Sequence, residues 1–384
     1  MYKIDSHLVS RDRLLPGIHG LRGIAALAVV LYHLVHIGGV KPPSILEFIA
    51  RDFGYSVHLF FILSAFSLMH STSPALNQPN WLAIYFTKRF FRIAPLFYAL
   101  IIVMFCSQYI GVGRVTTSLN TLLMGVSFSF GALPLSGIVW GDWSIGVEMV
   151  FYAFFPVLLI GIRSLRAAFW FLLFSILVST VTRAALHLEY EATVPKPTWD
   201  LSYFSFSPNL AFFALGIYAF FAARRIDESA RSLLKFVGLA TVVLLIGLLI
   251  LGLGKHLYTN GRADMLVWGV AFAGLCVWQS IAPSAVVANR VFEFLGERSF
   301  SIYLVHPLII VFGKAHIVRA FELFQPALGA YAFFASAAVT MIGVLAAAET
   351  TYRLVEVPGI ALGRWIVKRS ANSSIGAASD AVFP

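Results

Sequence analysis

The chain has 384 residues, of which 59% are hydrophobic and only 12% are charged. This charged fraction is about half that of an ordinary soluble domain, so the composition excludes a water-soluble globular protein and predicts an integral membrane protein. The formal net charge is +10, and both cysteines, Cys106 and Cys276, lie in apolar stretches. Neither a disulfide framework nor a cysteine metal cluster is therefore expected.

Ten apolar segments are long enough to cross a membrane, whose core of about 30 Å needs roughly 20 apolar residues. In chain order they are residues 21–39, 54–71, 94–111, 148–163, 167–185, 206–223, 234–254, 264–282, 300–318 and 329–349. Residues 116–135 are more polar and rich in Gly and Ser, and we expect them to be re-entrant or interfacial. The pattern predicts an all-α fold, a polytopic integral membrane bundle of about ten transmembrane helices.

The loops between these segments predict the orientation of the chain. With the N-terminus in the cytoplasm, 19 of the 28 basic residues fall on the cytoplasmic side, as the positive-inside rule requires. Both termini are therefore predicted to be cytoplasmic, and the net positive charge needs no nucleic acid as a partner. We expect one transmembrane domain over residues 1–369 and a small, polar, disordered cytoplasmic tail over residues 370–384.

The first segment carries two ionisable residues at positions that lipid should exclude, within GLRGIAALAVVLYHLVHIGG (residues 20–39). Arg22 and His33 are eleven positions apart, which at about 100° per residue is within roughly 20° of three full turns. They share one helix face, about 16 Å apart along the axis, with His33 near mid-membrane. Two interpretations remain open: a functional pair facing a cavity, or a snorkelling Arg22 and a neutral His33 bonded to a neighbouring helix.

Two later segments also begin with charged residues. Arg89 and Arg92 precede the third span on the cytoplasmic side and lie three positions apart, on one helical face. They are placed to bind an anionic ligand or to contact lipid headgroups. Glu148 opens the fourth span in an aromatic setting that includes Trp140 and Trp143. A carboxylate in a first helical turn is stabilised by the helix dipole, so a structural interpretation of Glu148 stays open beside a functional one.

The ninth span has a polar face and a proline. Ser299, Tyr303 and His306 stand at i, i+4 and i+7, which places them on one side of a helix. Pro307 removes a backbone donor beside His306, and a kink is expected there. Kinks near an ionisable side chain occur at functional sites and also in purely structural packing.

Taken in chain order, these segments resemble the membrane acyltransferase type 3 family, whose bacterial members transfer acyl groups, most often acetyl, to sugars at the cytoplasmic membrane. The matching motifs are Arg22 and His33 with ten residues between them, LFFILSAF (59–66), the pair Arg89 and Arg92, WSIGVEMVFY (143–152), SIYLVHP (301–307) and YRLVEVP (352–358) with Glu356. The resemblance covers nearly the whole chain, with six motifs in the family's order.

The resemblance implies acetyl-CoA or another acyl-CoA as the acyl donor, and no metal. Donor phosphates would meet Arg22, Arg89 and Arg92 on the cytoplasmic side. His33 would act in catalysis with Arg22 and Glu148, as a general base or as a covalent acyl carrier. The acceptor would approach from the outer side and contact the residues Trp143, Ser144, Tyr303 and His306, with Trp140 as a further apolar platform.

The resulting hypothesis is a multi-pass O-acetyltransferase of the bacterial cytoplasmic (inner) membrane. Its acceptor would be a cell-surface polysaccharide, such as lipopolysaccharide or exopolysaccharide, or a lipid-linked glycan precursor. Two alternatives remain: acylation of a small hydroxylated secondary metabolite, and a solute transporter or exporter. Transporters often contain internal repeats with broken helices in corresponding halves, which this sequence does not show.

Overall fold

The computed structural model describes residues 15–131, 137–193, 200–226, 230–250, 252 and 263–380. Within these ranges the regular secondary structure is helical, without strands. The α-helices are α1 (Pro16–His36), α2 (Phe48–Asp52), α3 (Ser56–Thr72), α4 (Trp81–Val112), α5 (Leu119–Ser127), α6 (Asp142–Gly161), α7 (Leu165–Ala192), α8 (Leu201–Phe204), α9 (Phe206–Ala223), α10 (Arg231–Leu249), α11 (Ala263–Ile281), α12 (Arg290–Glu297), α13 (Ser299–Leu328), α14 (Phe333–Thr351) and α15 (Val357–Asp380). Short 3-10 segments are Ser44–Leu46, Phe53–Tyr55, Ser73–Ala75, Ser129–Gly131 and Gly329–Ala332, and Tyr352–Glu356 is a π-helix.

Long apolar helices confirm a membrane bundle. In the part of the chain that the structure describes, nine helical stretches are long and apolar enough to cross a membrane. The last of them, Ser299–Arg369, contains α13, α14 and the beginning of α15, so it includes the ninth and tenth predicted spans. Every predicted span overlaps a helix, although residues 251, 253 and 254 of the seventh lie outside the described residues. The number of crossings and the side of the termini stay predictions.

The predicted start of the fourth span was wrong. The helix α6 begins at Asp142, so Glu148 is its seventh residue and not part of its first turn. Asp142 holds the preceding turn instead, because its Oδ2 accepts the backbone N–H groups of Ile138 at 2.8 Å and Val139 at 3.2 Å. A search for apolar windows passes over helical turns that carry buried carboxylates, which is why the span was predicted to start too late.

The other differences concern the ends of helices. The third predicted span lies inside α4, whose 32 residues begin at Trp81, and α13 continues to Leu328. Within residues 116–135, α5 has nine residues and a length of about 14 Å, too short to cross a membrane; residues 132–135 lie outside the described part. The last helix reaches Asp380 and so enters the tail, whose disorder stays a prediction.

The first helix lies close to its neighbours because three glycines face them. A Cβ at Gly17 would lie 2.2 Å from the carbonyl oxygen of Gln279, and one at Gly20 would lie 2.1 Å from that of Val287. At Gly23 the nearest atom would be the carbonyl oxygen of Phe292, at 2.5 Å. Small residues that let backbones approach are the usual means of tight helix packing in membranes. This packing fixes α1, and with it Arg22 and His33, against α11, α12 and α13.

Candidate active site

A cavity of about 90 Å³ lies inside the bundle, between α1, α3, α4, α6 and α13. Six residues that the sequence nominated for the site line its wall: Arg22, Arg89, Arg92, Ser144, Glu148 and Tyr303. The other residues of the wall are Val57, Phe60, Phe61, Ser64, Ile93, Ile145, Tyr152, Ser299 and Phe300. Motifs far apart in the sequence therefore converge on one partly polar space, which is the default candidate for an active site.

Glu148 is held at the cavity wall by two hydroxyl groups. Its Oε1 accepts hydrogen bonds from Ser64 of α3 and from Tyr152, one turn further along α6. The hydroxyl oxygens of Ser64 and Tyr152 are themselves 2.9 Å apart. Among the described residues, no group donates to the second carboxylate oxygen of Glu148. That oxygen is therefore available to a hydroxyl group bound in the cavity.

A second polar pair lies one turn before Glu148. The hydroxyl oxygens of Ser144 and Tyr303 are 2.6 Å apart, and each is 3.2 Å from the carbonyl oxygen of Gly141. Both side chains are buried, and both belong to the cavity wall. The pair joins the beginning of α6 to α13 and places two hydroxyl groups on the same side of the cavity as Glu148.

The three arginines of the cavity differ in their partners. Arg22 donates from Nη2 to Ser67 Oγ at 3.3 Å. The guanidinium of Arg89 lies 5.8 Å from the centre of the Tyr152 ring, and its Nε is buried without a hydrogen-bond partner. Within the described residues, neither Arg22 nor Arg89 forms an ion pair with a carboxylate. The buried Nε of Arg89 is costly without a partner, and the positive charge of both arginines favours an anionic or strongly polarised group in the cavity.

Arg92 is different, because Glu356 neutralises it. Glu356 is 1% exposed and belongs to the π-helix between α14 and α15. Its carboxylate forms an ion pair with Arg92, and its Oε2 accepts a hydrogen bond from Ser301 at 2.6 Å. π-helical turns are rare and frequent at functional sites. This one brings a buried carboxylate from the last motif of the sequence to the arginine pair of an early motif.

We expect Glu356→Gln to reduce the free energy of unfolding by about 3 kcal/mol, because it leaves the partly buried charge of Arg92 without its partner. The matched control is Glu297→Gln, whose carboxylate pairs with Arg298 but is 49% exposed; its effect should stay below about 1 kcal/mol. Thermal unfolding of both variants in the same detergent measures the difference. Equal Tm values for the two variants would contradict a supporting role for Glu356.

His33 and His306 meet beside the cavity, not on its wall. His306 Nε2 lies 3.0 Å from His33 Nδ1, and the two rings are tilted with centroids 4.9 Å apart. His306 Nδ1 is 3.2 Å from the carbonyl oxygen of Ile302, and His33 Nδ1 is 3.1 Å from that of Val29. The ring of Tyr303, which does line the cavity, is 5.7 Å from the His306 ring. His306 is 1% exposed and contacts His33, and its contact with an acceptor stays a prediction.

Trp143 does not face the cavity. Its side chain is 8% exposed and packs against the rings of Phe61, Tyr203 and Phe204, with centroids 6.1, 5.3 and 5.2 Å away. The prediction of an acceptor platform is therefore not supported for Trp143. Trp140 is 51% exposed and remains accessible to a large polar ligand. Residues 132–136, which precede this part of the chain, lie outside the described residues.

Three polar members of the site were not among the site residues that the sequence nominated. Ser64 and Tyr152 hold Glu148, and Glu356 holds Arg92. All three lie within the motifs already quoted, and each places a polar atom in an apolar segment, which is the signal that would have identified them. In the part of the chain that the structure describes, no group of three or more His, Cys, Asp or Glu side chains is arranged to hold a metal ion.

Comparison with known proteins gives a family match and distant relatives. Residues 15–349 match a family described as an acyltransferase domain. Proteins of Staphylococcus aureus strains COL and MSSA476, each named "Putative O-acetyltransferase", are 23% identical over 380 residues, which cover 90% of this chain and 57% of each relative. A "Putative acetyltransferase" of Acidianus two-tailed virus is 27% identical over 296 residues, which cover 77% of this chain and 83% of the relative. The chain thus spans little more than half the length of the staphylococcal relatives, and no solved structure matches it.

Proposed function

The chain belongs to this acyltransferase family, and we propose that it is an integral membrane O-acyltransferase that moves an acyl group, in the simplest case acetyl, from acyl-CoA to a hydroxyl group of a glycan. The acceptor is a cell-surface polysaccharide or a lipid-linked glycan precursor, and the membrane is the inner membrane of a bacterium. The observation that carries the proposal is the cavity that unites Arg22, Arg89 and Glu148 beside the His33 and His306 pair. Acyl transfer needs such a set: a base, donors for a developing negative charge and a group that orients the acceptor.

The hydrogen bonds of the two histidines assign their protons. A backbone carbonyl can only accept, so the Nδ1 of His306 carries a proton that it donates to Ile302. In neutral His306, Nε2 then has a lone pair and accepts from the Nδ1–H of His33, 3.0 Å away. The second neighbour of that nitrogen, the carbonyl oxygen of Val29, is also an acceptor. The lone pair of neutral His33 is therefore on Nε2, which is the form required of a general base.

In the proposed reaction, His33 Nε2 takes the proton of the acceptor hydroxyl while the hydroxyl oxygen attacks the thioester carbonyl carbon. The carbon–sulfur bond breaks, and the electron pair leaves with the sulfur of CoA. The proton then passes from His33 to this sulfur. The products are free CoA and an O-acyl ester, and no further reactant is consumed. His306 acts as a positioning residue, because it orients the His33 ring and fixes its tautomer without contact with the reacting atoms.

The cavity residues supply charge and orientation in this proposal. Arg22 and Arg89 face the acyl end of the donor, where their positive charges stabilise the negative charge that develops on the thioester oxygen. Glu148 accepts a hydrogen bond from the acceptor through its second carboxylate oxygen, and Ser144 and Tyr303 complete the contacts with the acceptor. Arg92, neutralised by Glu356, shapes the donor side of the cavity.

Release of free CoA tests the function directly. The purified full chain in lipid nanodiscs, given acetyl-CoA and an extract of lipid-linked glycans, is expected to produce free CoA and an acetylated glycan in equal amounts. Thiol titration measures the first product and mass spectrometry the second. CoA release with free acetate and no acetylated glycan would be hydrolysis of the donor, and acetylation of an added small hydroxylated compound would then favour the alternative acceptor class. Movement of a solute without any CoA release would contradict acyl transfer and favour a transporter.

A further inference from the structure

Two larger cavities lie at the end of the bundle where α1 begins. Each holds about 680 Å³, and both are lined by Ser73, Phe220 and Arg224, so they adjoin one another. Leu15, which precedes α1, and Ile281, which ends α11, belong to the wall of one of them. This end is the one that the positive-inside rule assigns to the cytoplasm.

The end cavity whose wall includes Met69 and Leu159 lies one to two helical turns from the central cavity. Along α3 the wall residue Ser64 of the central cavity is five residues from Met69 of the end cavity, or about 8 Å. Along α6 the corresponding residues, Tyr152 and Leu159, are seven positions apart, or about 10 Å. These distances are short compared with the length of a pantetheine arm, so one elongated ligand is long enough to span both spaces.

The wall of the end cavity that includes Met69 and Leu159 also carries Arg163, Arg224 and Arg225. We call this cavity the arginine pocket. Arg163 donates from Nε to the carbonyl oxygen of Ile160 at 2.8 Å, and the guanidinium of Arg224 lies 5.4 Å from the centre of the Phe220 ring. Among the described residues, no carboxylate forms an ion pair with any of the three arginines. The three guanidinium groups give this wall a positive charge, beside aromatic and hydroxyl groups that can also contact an anionic ligand.

The central cavity and the arginine pocket differ in volume, so their arginines can contact ligand groups of different size. Pockets for nucleotide-sized ligands hold about 300–1,000 Å³, a range that includes the arginine pocket at about 680 Å³ and excludes the central cavity at about 90 Å³. The central cavity is large enough for an acyl group and a thioester. Phosphates carried by a nucleotide need a larger basic space nearer the aqueous phase, which the arginine pocket provides.

We propose that the arginine pocket binds the phosphorylated nucleotide end of the acyl donor through Arg163, Arg224 and Arg225. The pantetheine arm then extends between α3 and α6 to the central cavity, where Arg22 and Arg89 meet the acyl end. This inference rests on the proposed function and gives the donor phosphates a site different from the one expected from the sequence motifs. The same phosphate chemistry is offered by anionic lipid headgroups, and the experiment separates the two sources.

The first test measures binding of adenosine 3′,5′-bisphosphate, the nucleotide end of CoA, to the full chain in phosphatidylcholine nanodiscs by calorimetry. Replacement of Arg163, Arg224 and Arg225 together by Gln is expected to raise Kd about 10- to 100-fold. The matched control replaces Arg166, Arg290 and Arg364 by Gln, since these exposed arginines carry the same charge but do not line either end cavity. Equal losses in both triple variants would show a general charge effect and overturn the site.

The second test compares a complete donor with a truncated one. S-acetylpantetheine has the thioester but lacks the nucleotide, so loss of the arginine pocket should lower kcat/KM for acetyl-CoA relative to that for S-acetylpantetheine by about 10-fold or more. This ratio cancels any loss of folded protein. An unchanged ratio would overturn the proposal, even if both rates fell.

Lipid and donor are then distinguished by nanodiscs that contain phosphatidylglycerol. Native mass spectrometry counts the anionic lipids retained by the wild-type chain and by the pocket variant. Lipid retention that depends on the three arginines, together with no binding of the nucleotide, would assign the pocket to lipid and overturn the proposal. If acetyl-CoA itself neither binds the wild-type chain nor releases CoA, the proposed function fails. If acetyl-CoA binds wild type and pocket variant equally, only the site fails.

Discussion

His33→Gln is expected to lower kcat for acyl transfer by about 100- to 10,000-fold, because glutamine can replace the hydrogen bond to His306 but cannot take a proton from the acceptor. KM for acetyl-CoA should change little, since the substitution leaves the arginines that bind the donor unchanged. Initial rates of CoA release at varied acetyl-CoA concentrations separate the two parameters. A variant that retains the kcat of the wild type would remove His33 from the mechanism.

The control for this variant lies on the same helix. His36 is exposed and its Nε2 is 2.8 Å from the carbonyl oxygen of Ala50, away from the His306 contact. His36→Gln should therefore leave kcat within about 2-fold of the wild type, as expected for a surface substitution. Equal losses in His33→Gln and His36→Gln would point to damage of α1 and not to chemistry.

His306→Gln distinguishes the base from the residue that positions it. This substitution changes one hydrogen bond to a base that becomes charged in the reaction, so we expect kcat to fall by about 10- to 100-fold, less than on loss of the base itself. Intact-mass measurement after rapid mixing with acetyl-CoA should find no acylated protein, since His33 acts as a general base in the proposed reaction. An acyl group retained on His33 would replace this step by the covalent route that the sequence left open.

The sequence was informative where chemistry is local. The spacing of Arg22 and His33 predicts one helix and one face, and both residues lie in α1. The surroundings of the two side chains depend on neighbouring helices. Arg22 lines the central cavity, while His33 contacts His306, which is 273 positions away in the chain. Periodicity describes the face of a helix, but which partner covers that face is determined by the packing of the whole bundle.

Long-range ion pairs could not be predicted from the sequence for the same reason. The pairing of Arg92 with Glu356 joins residues 264 positions apart, and it depends on a π-helical turn that hydrophobic patterns do not reveal. Trp143 is a different case. An aromatic residue near the predicted membrane interface has the composition of a ligand platform, but the rings of Phe61, Tyr203 and Phe204 cover it in the fold. Burial of a single side chain cannot be read from its type.

Glu148→Gln is expected to lower kcat/KM for the acceptor by about 100-fold, because the amide keeps the size of the side chain but removes the negative charge opposite Arg22 and Arg89. The hydrogen bonds from Ser64 and Tyr152 go to one oxygen, which the glutamine carbonyl can replace. The fold should therefore be retained, and the loss should appear in the acceptor parameters more than in KM for acetyl-CoA.

Two further variants make this result specific to the cavity. Glu322→Gln removes the same charge from an exposed position of α13 and should leave both substrates unaffected within about 2-fold. Tyr152→Phe removes one of the two hydroxyl groups that hold Glu148 and should reduce acceptor kcat/KM by about 10-fold, as loss of one hydrogen bond to a charged group predicts. Steady-state rates at varied acceptor concentration, with acetyl-CoA saturating, measure all three. If Glu148→Gln raised KM for acetyl-CoA alone, the carboxylate would belong to the donor and the acceptor would have to bind elsewhere in the bundle.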